Sequence, residues 1–227
     1  MICAGGLCVE NDMLYDWLKE HFQEIEPILI EEVDEGASSA GLSEVEVRHE
    51  MKRLCAQGAL CRYDAGVYFL PPAGLTRAVV RPQRMAVIEK KFLYDHGIPC
   101  GYLSGKAFAA KLGLTRRPVT TLDIVTNKEH RAHRETSLNG QLLMLRRPVV
   151  LVNAENRRAL QLLDLIRDLD EVSELPADEA GGKAGAYIAR EDIVFADVEP
   201  YLEFYPDRIY KNLYRCGLLE GRVTPDS

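Results

Sequence analysis

LSEVEVRHEMKRLCAQGALCRYDAGVYFL, residues 42–70, reads as one helix followed by one tight hairpin. Val47, Met51, Leu54 and Cys55 recur at spacings of four, three and one, which draws a single apolar stripe at the 3.6-residue period. Ser43 stands where an N-cap belongs, and Glu46 three residues on completes a capping box. Gly58 supplies the stop. Half a revolution from the stripe come Val45, His49, Lys52, Arg53 and Ala56, small or basic side chains suited to lie against a polyanion. Residues 60–63 and 67–70 are short β-like runs around Asp64-Ala65-Gly66, a turn with Gly where positive φ is needed. With two shorter helices upstream, this is the element order of a winged helix-turn-helix, whose last helix enters the major groove while the wing touches the backbone.

The 227 residues suffice for one large domain or two small ones, and 47% hydrophobic content allows real cores. No run of about 18 apolar residues occurs, so no membrane span is expected. Residues 1–12, MICAGGLCVEND, lack the basic start and long apolar centre of a signal peptide and show no helical period. They read as a frayed arm, or as sequence upstream of a true start near Met13. The six cysteines, at 3, 8, 55, 61, 100 and 216, form no C-x-x-C pair and meet no His at zinc-finger spacing. Free thiols in a reducing cytoplasm are therefore expected, with Cys55 a small core residue.

The net charge of −7 is unevenly spread. Residues 1–82 carry 7 Lys/Arg against 14 Asp/Glu, residues 83–170 carry 15 against 9, and residues 171–227 carry 6 against 12. An acidic first domain opposes phosphate binding. Glu31, Glu32, Asp34 and Glu35 fall on the second helix, where they can face away from DNA, but Glu44, Glu46 and Glu50 share the candidate recognition helix. Weak or partner-assisted DNA binding is the expectation.

Along the chain, Asp12 is placed to cap a first helix with Leu14, Trp17, Leu18, Phe22 and Ile25 on one face. Glu26-Pro27 starts a second, with Ile28, Leu29 and Val33 inward. Residues 71–83, with three prolines and Gly74, read as a linker, giving a winged-helix domain over 1–80 and an α+β domain over 81–227. That second domain is expected to hold a helix over 84–96, a short helix capped by Ser104, and a strand over 119–126. A hairpin around Asn139-Gly140 follows, and residues 149–152 extend the sheet. A long helix over 153–169 carries Leu160, Leu163, Ile166 and Leu169 inward. Residues 173–186 read as loop, and two helices over about 190–204 and 206–219 finish the chain. The fold class is α+β with a small, mostly antiparallel sheet.

The middle of the chain is dense in cations: Lys106, Lys111, Arg116, Arg117, Lys128, Arg131, Arg134, Arg146, Arg147, Arg157 and Arg158. They form either a basic surface for a nucleic-acid backbone or acidic protein, or a scattered solvated face. Few aromatics interleave with them, which argues against single-strand stacking. His130-x-x-His133 has no acidic or Cys partner at ligand spacing, so no metal site is expected there. Ser104-Gly105 before a helix, with Asp123 on a following strand, echoes a nucleotidyl-transfer site. The second carboxylate should stand two residues away on the same face, where Thr121 and Val125 occur instead. One acid cannot clamp two metals, and no P-loop, G-x-G-x-x-G or Ser/His/Asp set appears. No catalysis and no cofactor are expected.

Several phrases in order, the wing ALCRYDAGVYFLP, GYLSGKAFAAKLGLT, TLDIVTN, ALQLLDLIRDL and FYPDRIYKNL, give the chain from about 13 to 219 a resemblance to the AbiEi-type antitoxins of type IV toxin–antitoxin systems. The resemblance implies an N-terminal winged helix that represses its own operon. It also implies a C-terminal domain that counteracts a nucleotidyltransferase-like toxin without a tight complex. The acidic first domain and the long GASSAG turn depart from that pattern. The expectation is a cytoplasmic repressor, monomer or homodimer. His49, Lys52 and Arg53 meet the major groove of operator DNA, while Arg48 and Arg62 meet phosphates. The competing class is an adaptor whose winged helix docks or dimerises and whose basic domain holds an acidic protein.

Overall fold

A computed structural model describes residues 13–39, 41–74 and 80–219, and the chain divides into two compact units, Met1–Ile88 and Glu89–Ser227. The fold class is α+β, and no described helix is long and apolar enough to cross a membrane. The 1–12 arm and the cap expected at Asp12 lie outside the described residues.

The first unit contains α1 (Met13–His21), β1 (Ile28–Leu29), α2 (Ile30–Ser39), α3 (Glu44–Gln57), β2 (Cys61–Asp64) and β3 (Val67–Phe69). α3 starts on the Ser43–Glu46 capping box, and Gly58 ends it in the left-handed conformation at φ 85°. Its stripe behaves as expected: Val47, Met51 and Leu54 are buried with Leu14, Leu18, Val33, Leu60 and Leu70 in one core. β1, β3 and β2 form an antiparallel sheet in that order. Here the sequence expectation needs correction. Ile28 and Leu29 do not open the second helix; they pair with Tyr68 and Val67, and the helix begins at Ile30. Pro27 lacks the N–H a helix interior needs, yet it is equally at home just before a strand. Trp17 stacks on His21 at 4.3 Å and meets Phe22 edge-on.

A short helix, α4 (Arg84–Ile88), runs on as a π-helical turn, Glu89–Leu93. The second unit then adds β4 (Tyr94–Asp95), β5 (Ile98–Pro99), β6 (Gly101–Ser104), α5 (Gly105–Lys111), β7 (Thr121–Thr126), β8 (Arg134–Leu138) and β9 (Gln141–Arg146). α6 (Arg157–Arg167), α7 (Leu169–Val172), α8 (Ala177–Arg190), α9 (Phe195–Val198), a 3-10 turn (Glu199–Phe204) and α10 (Arg208–Arg215) complete it. Its main sheet has the order β6-β7-β9-β8, antiparallel except for the parallel β7–β9 pair. Asn139 and Gly140 both take positive φ between β8 and β9, the two-residue turn that matches strand twist. Leu160, Leu163, Ile166 and Leu169 are fully buried, as their spacing requires.

Several expectations fail in this unit, among them the helix over about 190–204, which is broken at 191–194 into α9 and the 3-10 turn. The helix over 84–96 stops at Leu93, because His96-Gly97 turns the chain from β4 into β5. Residues 149–152 form no strand; Val152 is instead held by the Asn127 amide, which bonds its N–H and C=O at 2.9 and 2.8 Å. Of residues 173–186, expected as loop, 177–186 belong to the helix α8. Glycine lowers helix propensity, but it also lets backbones touch. A Cβ on Gly181 would stand 2.4 Å from the Arg215 carbonyl oxygen, and one on Gly185 2.9 Å from that of Cys216.

Candidate functional site

In α3 the buried stripe forces the opposite face outward. Val45, Arg48, His49, Lys52 and Ala56 are exposed there, and Arg62 is exposed on β2. Among the described residues His49 and Lys52 make no ion pair or hydrogen bond, so both are available to a ligand. The arginines are engaged. Arg48 Nη2 lies 3.2 Å from Glu44 and 3.5 Å from Asp34 of α2. Arg53 donates from Nε and Nη2 to Glu50 at 2.9 and 2.7 Å, and its Nη1 reaches Gln57 at 3.4 Å. Arg62 Nε donates to the Asp64 carbonyl at 3.2 Å, two residues along β2. The five expected DNA-contacting residues thus share the outer side of one helix and its adjacent hairpin, with carboxylates interleaved among them. On the same side Met13, Leu14, Leu42 and Val45 floor a shallow cleft of about 480 Å³. Val45, one of its lining residues, is 78% exposed.

Several members of the basic set of the second unit are paired with carboxylates. Arg117 pairs with Glu174, which also accepts the Arg116 backbone N–H at 3.0 Å and the Thr115 hydroxyl at 2.8 Å. These contacts hold the Glu174 carboxyl below its ordinary range, led by the Arg116 N–H. Lys128 Nζ sits 2.9 Å from both Asp95 and the Tyr94 carbonyl. Arg134 pairs with Glu129 and Arg158 with Glu191. Arg131 and Arg147 are exposed and joined by a backbone hydrogen bond, while Lys106 and Lys111 are exposed along α5.

Arg146 is a correction. Its place in the cation-dense stretch predicts an exposed side chain, but the structure leaves that side chain only 19% exposed and turned inward. Its Nη2 donates to Ser104 Oγ at 3.0 Å and approaches Asp164 Oδ2 at 3.6 Å. Asp164, 4% exposed, is the hub of this interior cluster. It accepts from Tyr102 at 3.2 Å, Ser104 at 3.3 Å, Tyr205 at 3.1 Å and Arg167 at 2.9 Å. Burial first, and the Asp164 charge next, push the Tyr102 and Tyr205 hydroxyls far above their ordinary range, so both stay protonated donors. The cluster carries a signal in the sequence: Asp164 interrupts the apolar face of ALQLLDLIRDL. A charge there must be paired inside.

Asp123 lies beside this cluster, in register with Ser104 across the sheet. Gly105 has φ 54°, and a Cβ there would stand 2.5 Å from Asp123 Oδ2. Burial raises the Asp123 carboxyl above its ordinary value, with Arg146 opposing. Val125, where a second metal-holding acid would be needed, is the register partner of Arg146, so a guanidinium rather than a carboxylate flanks that position. Among the described residues no group of three or more His, Cys, Asp or Glu is arranged to hold a metal.

A cleft of about 560 Å³ in this unit has Lys111, Arg157, Arg158 and Arg190 on its walls beside Glu89, Glu155, Glu191, Asp192 and Asp197. Cations and carboxylates alternate there, so its charge selects no single ligand class. No protein-family model and no characterised protein matches the chain in sequence.

Proposed function

We propose that the first unit is a winged helix-turn-helix that binds double-stranded DNA, and that the protein is a cytoplasmic, non-catalytic transcriptional regulator. One observation carries this reading: the outward side of α3 is open, offers His49 and Lys52 unpaired, and has Arg48, Arg53 and the hairpin's Arg62 at its margins. A helix of about four turns so displayed fits the major groove, with the β2–β3 hairpin reaching the adjoining backbone. In the resemblance to AbiEi-type antitoxins, this activity represses the protein's own operon, and the second unit counteracts a nucleotidyltransferase-like toxin. The interleaved carboxylates fit modest affinity. Phosphate contacts must displace Glu44, Asp34 or Glu50, and affinity falls steeply with salt. A gel shift with the DNA upstream of its own gene tests this. Wild type retards the duplex at low salt and Arg53→Glu does not; equal retardation overturns the assignment.

A specific feature favours a second reading. The apolar cleft around Val45 and Met13 lies on the same side of α3, and exposed apolar floors of this kind dock protein. Under that reading the unit is an adaptor, and wild type fails to shift any duplex even at low salt.

A further inference from the structure

The contact between Asp34 and Arg48 joins α2 to the proposed DNA-facing helix. The Arg48 side chain is 61% exposed, while that of Asp34 is 14% exposed. Among the described residues, Asp34 Oδ1 is a buried side-chain oxygen with no hydrogen-bond partner. Its other oxygen has the Arg48 guanidinium at 3.5 Å, longer than a good charged hydrogen bond. Burial raises the Asp34 carboxyl above its ordinary value, and Arg48 only partly offsets that. A carboxylate so placed adds little to the fold, since desolvation is set against one long ion pair. Glu44 and Glu50 differ from it. They are neighbours on α3 itself, at i,i+4 and i,i+3 from their arginines, and such surface pairs exchange readily with other anions.

We propose that Asp34 is a positioning residue for DNA binding: it withholds the Arg48 guanidinium from backbone phosphate, so that sequence-independent binding is held down. This rests on the DNA-binding reading above. A phosphate that takes Arg48 must part it from Asp34, leaving a buried carboxylate with neither oxygen partnered. That penalty opposes the Arg48–phosphate contact on every duplex. Binding at moderate salt then depends on base-edge contacts from His49 and Lys52.

The test uses the full chain and a labelled random-sequence duplex, with affinity read by fluorescence anisotropy across a salt series. Asp34→Asn keeps the shape and removes the charge. It is expected to tighten binding roughly fivefold and to steepen the log–log salt slope by about one. Asp34→Ala should do the same, and both should retain the wild-type fluorescence of Trp17, the chain's single tryptophan. With Arg48→Ala present, the gain from Asp34→Asn should vanish. Glu31→Gln, an equal charge change on α2, should give less than half of it. An unchanged affinity, a gain that survives Arg48→Ala, or an equal gain from Glu31→Gln overturns the proposal. If wild type binds and Lys52→Glu weakens it while Asp34→Asn changes nothing, only this inference fails. If neither wild type nor Asp34→Asn binds any duplex, the DNA-binding reading fails and takes the inference with it.

Discussion

The indole of Trp17 lies directly on Gly36: a Cβ at Gly36 would stand 2.2 Å from Trp17 Cζ2. α1 and α2 therefore approach at a point where no side chain fits. Gly36→Ala gains about 1 kcal/mol of helix propensity but forces the indole aside, and overpacking of this kind costs roughly 1–3 kcal/mol. The variant is expected to be destabilised in the first unit. Urea unfolding followed by Trp17 fluorescence checks this, and a midpoint at or above wild type would contradict the contact.

Asp164 holds the second unit together from inside. Replacing it by Leu takes the acceptor from the Tyr102, Ser104 and Tyr205 hydroxyls and leaves Arg146 with Ser104 alone, while Arg167 keeps Asp168; breaking a buried pair from one side costs about 3–5 kcal/mol. Asp164→Leu should therefore unfold the second unit at markedly lower urea in far-UV circular dichroism. The Trp17 signal, which lies in the first unit, should move less.

Gly105 and Asp123 are expected to be coupled. Gly105→Ala meets both a positive φ and the Asp123 carboxylate, so it should cost more than the roughly 1 kcal/mol of a simple left-handed penalty. In an Asp123→Ala background the 2.5 and 2.8 Å approaches to the carboxylate disappear, leaving the backbone part and the 3.1 Å approach to the remaining Cβ. Thermal denaturation of the four proteins gives the coupling, and simple additivity would refute it.

The pH dependence of Asp123 has a definite sign. Its folded carboxyl titrates above the unfolded value of 3.8, chiefly through burial, so the native state keeps its proton longer. Between the unfolded and folded values the native state binds more protons, and stability falls as pH rises through that window. Asp123→Asn should remove this contribution and match or exceed wild-type stability at pH 7. Melting temperatures from pH 3.5 to 7 check it; a variant that loses stability only at neutral pH would show that the carboxylate is stabilising.

Local chemistry was legible in the sequence where one short stretch decides the outcome. The Ser43–Glu46 box, the Gly58 stop, the Asn139-Gly140 turn and the buried face of α6 each follow from neighbours a few residues apart. What escaped depends on partners far along the chain. β1 is two residues long and exists because β3 offers an edge, so Ile28 and Leu29 carry no strand period of their own. α8 is rich in glycine because α10 presses against it, a reason invisible within the segment itself. The same holds at the candidate site. The open side of α3 follows from helix period alone, but Arg48 bonding to Asp34, and Arg146 turning inward to Asp164, are tertiary choices that composition cannot rank.

The central claim is that the outward side of α3 and the β2–β3 hairpin meet duplex DNA. Backbone amide NMR spectra of the full chain, titrated at low salt with a duplex from upstream of its own gene, test it most directly. Shifts concentrated at Val45, Arg48, His49, Lys52, Arg53 and Arg62, and reversed by added salt, are the predicted result. Spectra that do not change, or shifts confined to the second unit, would contradict it.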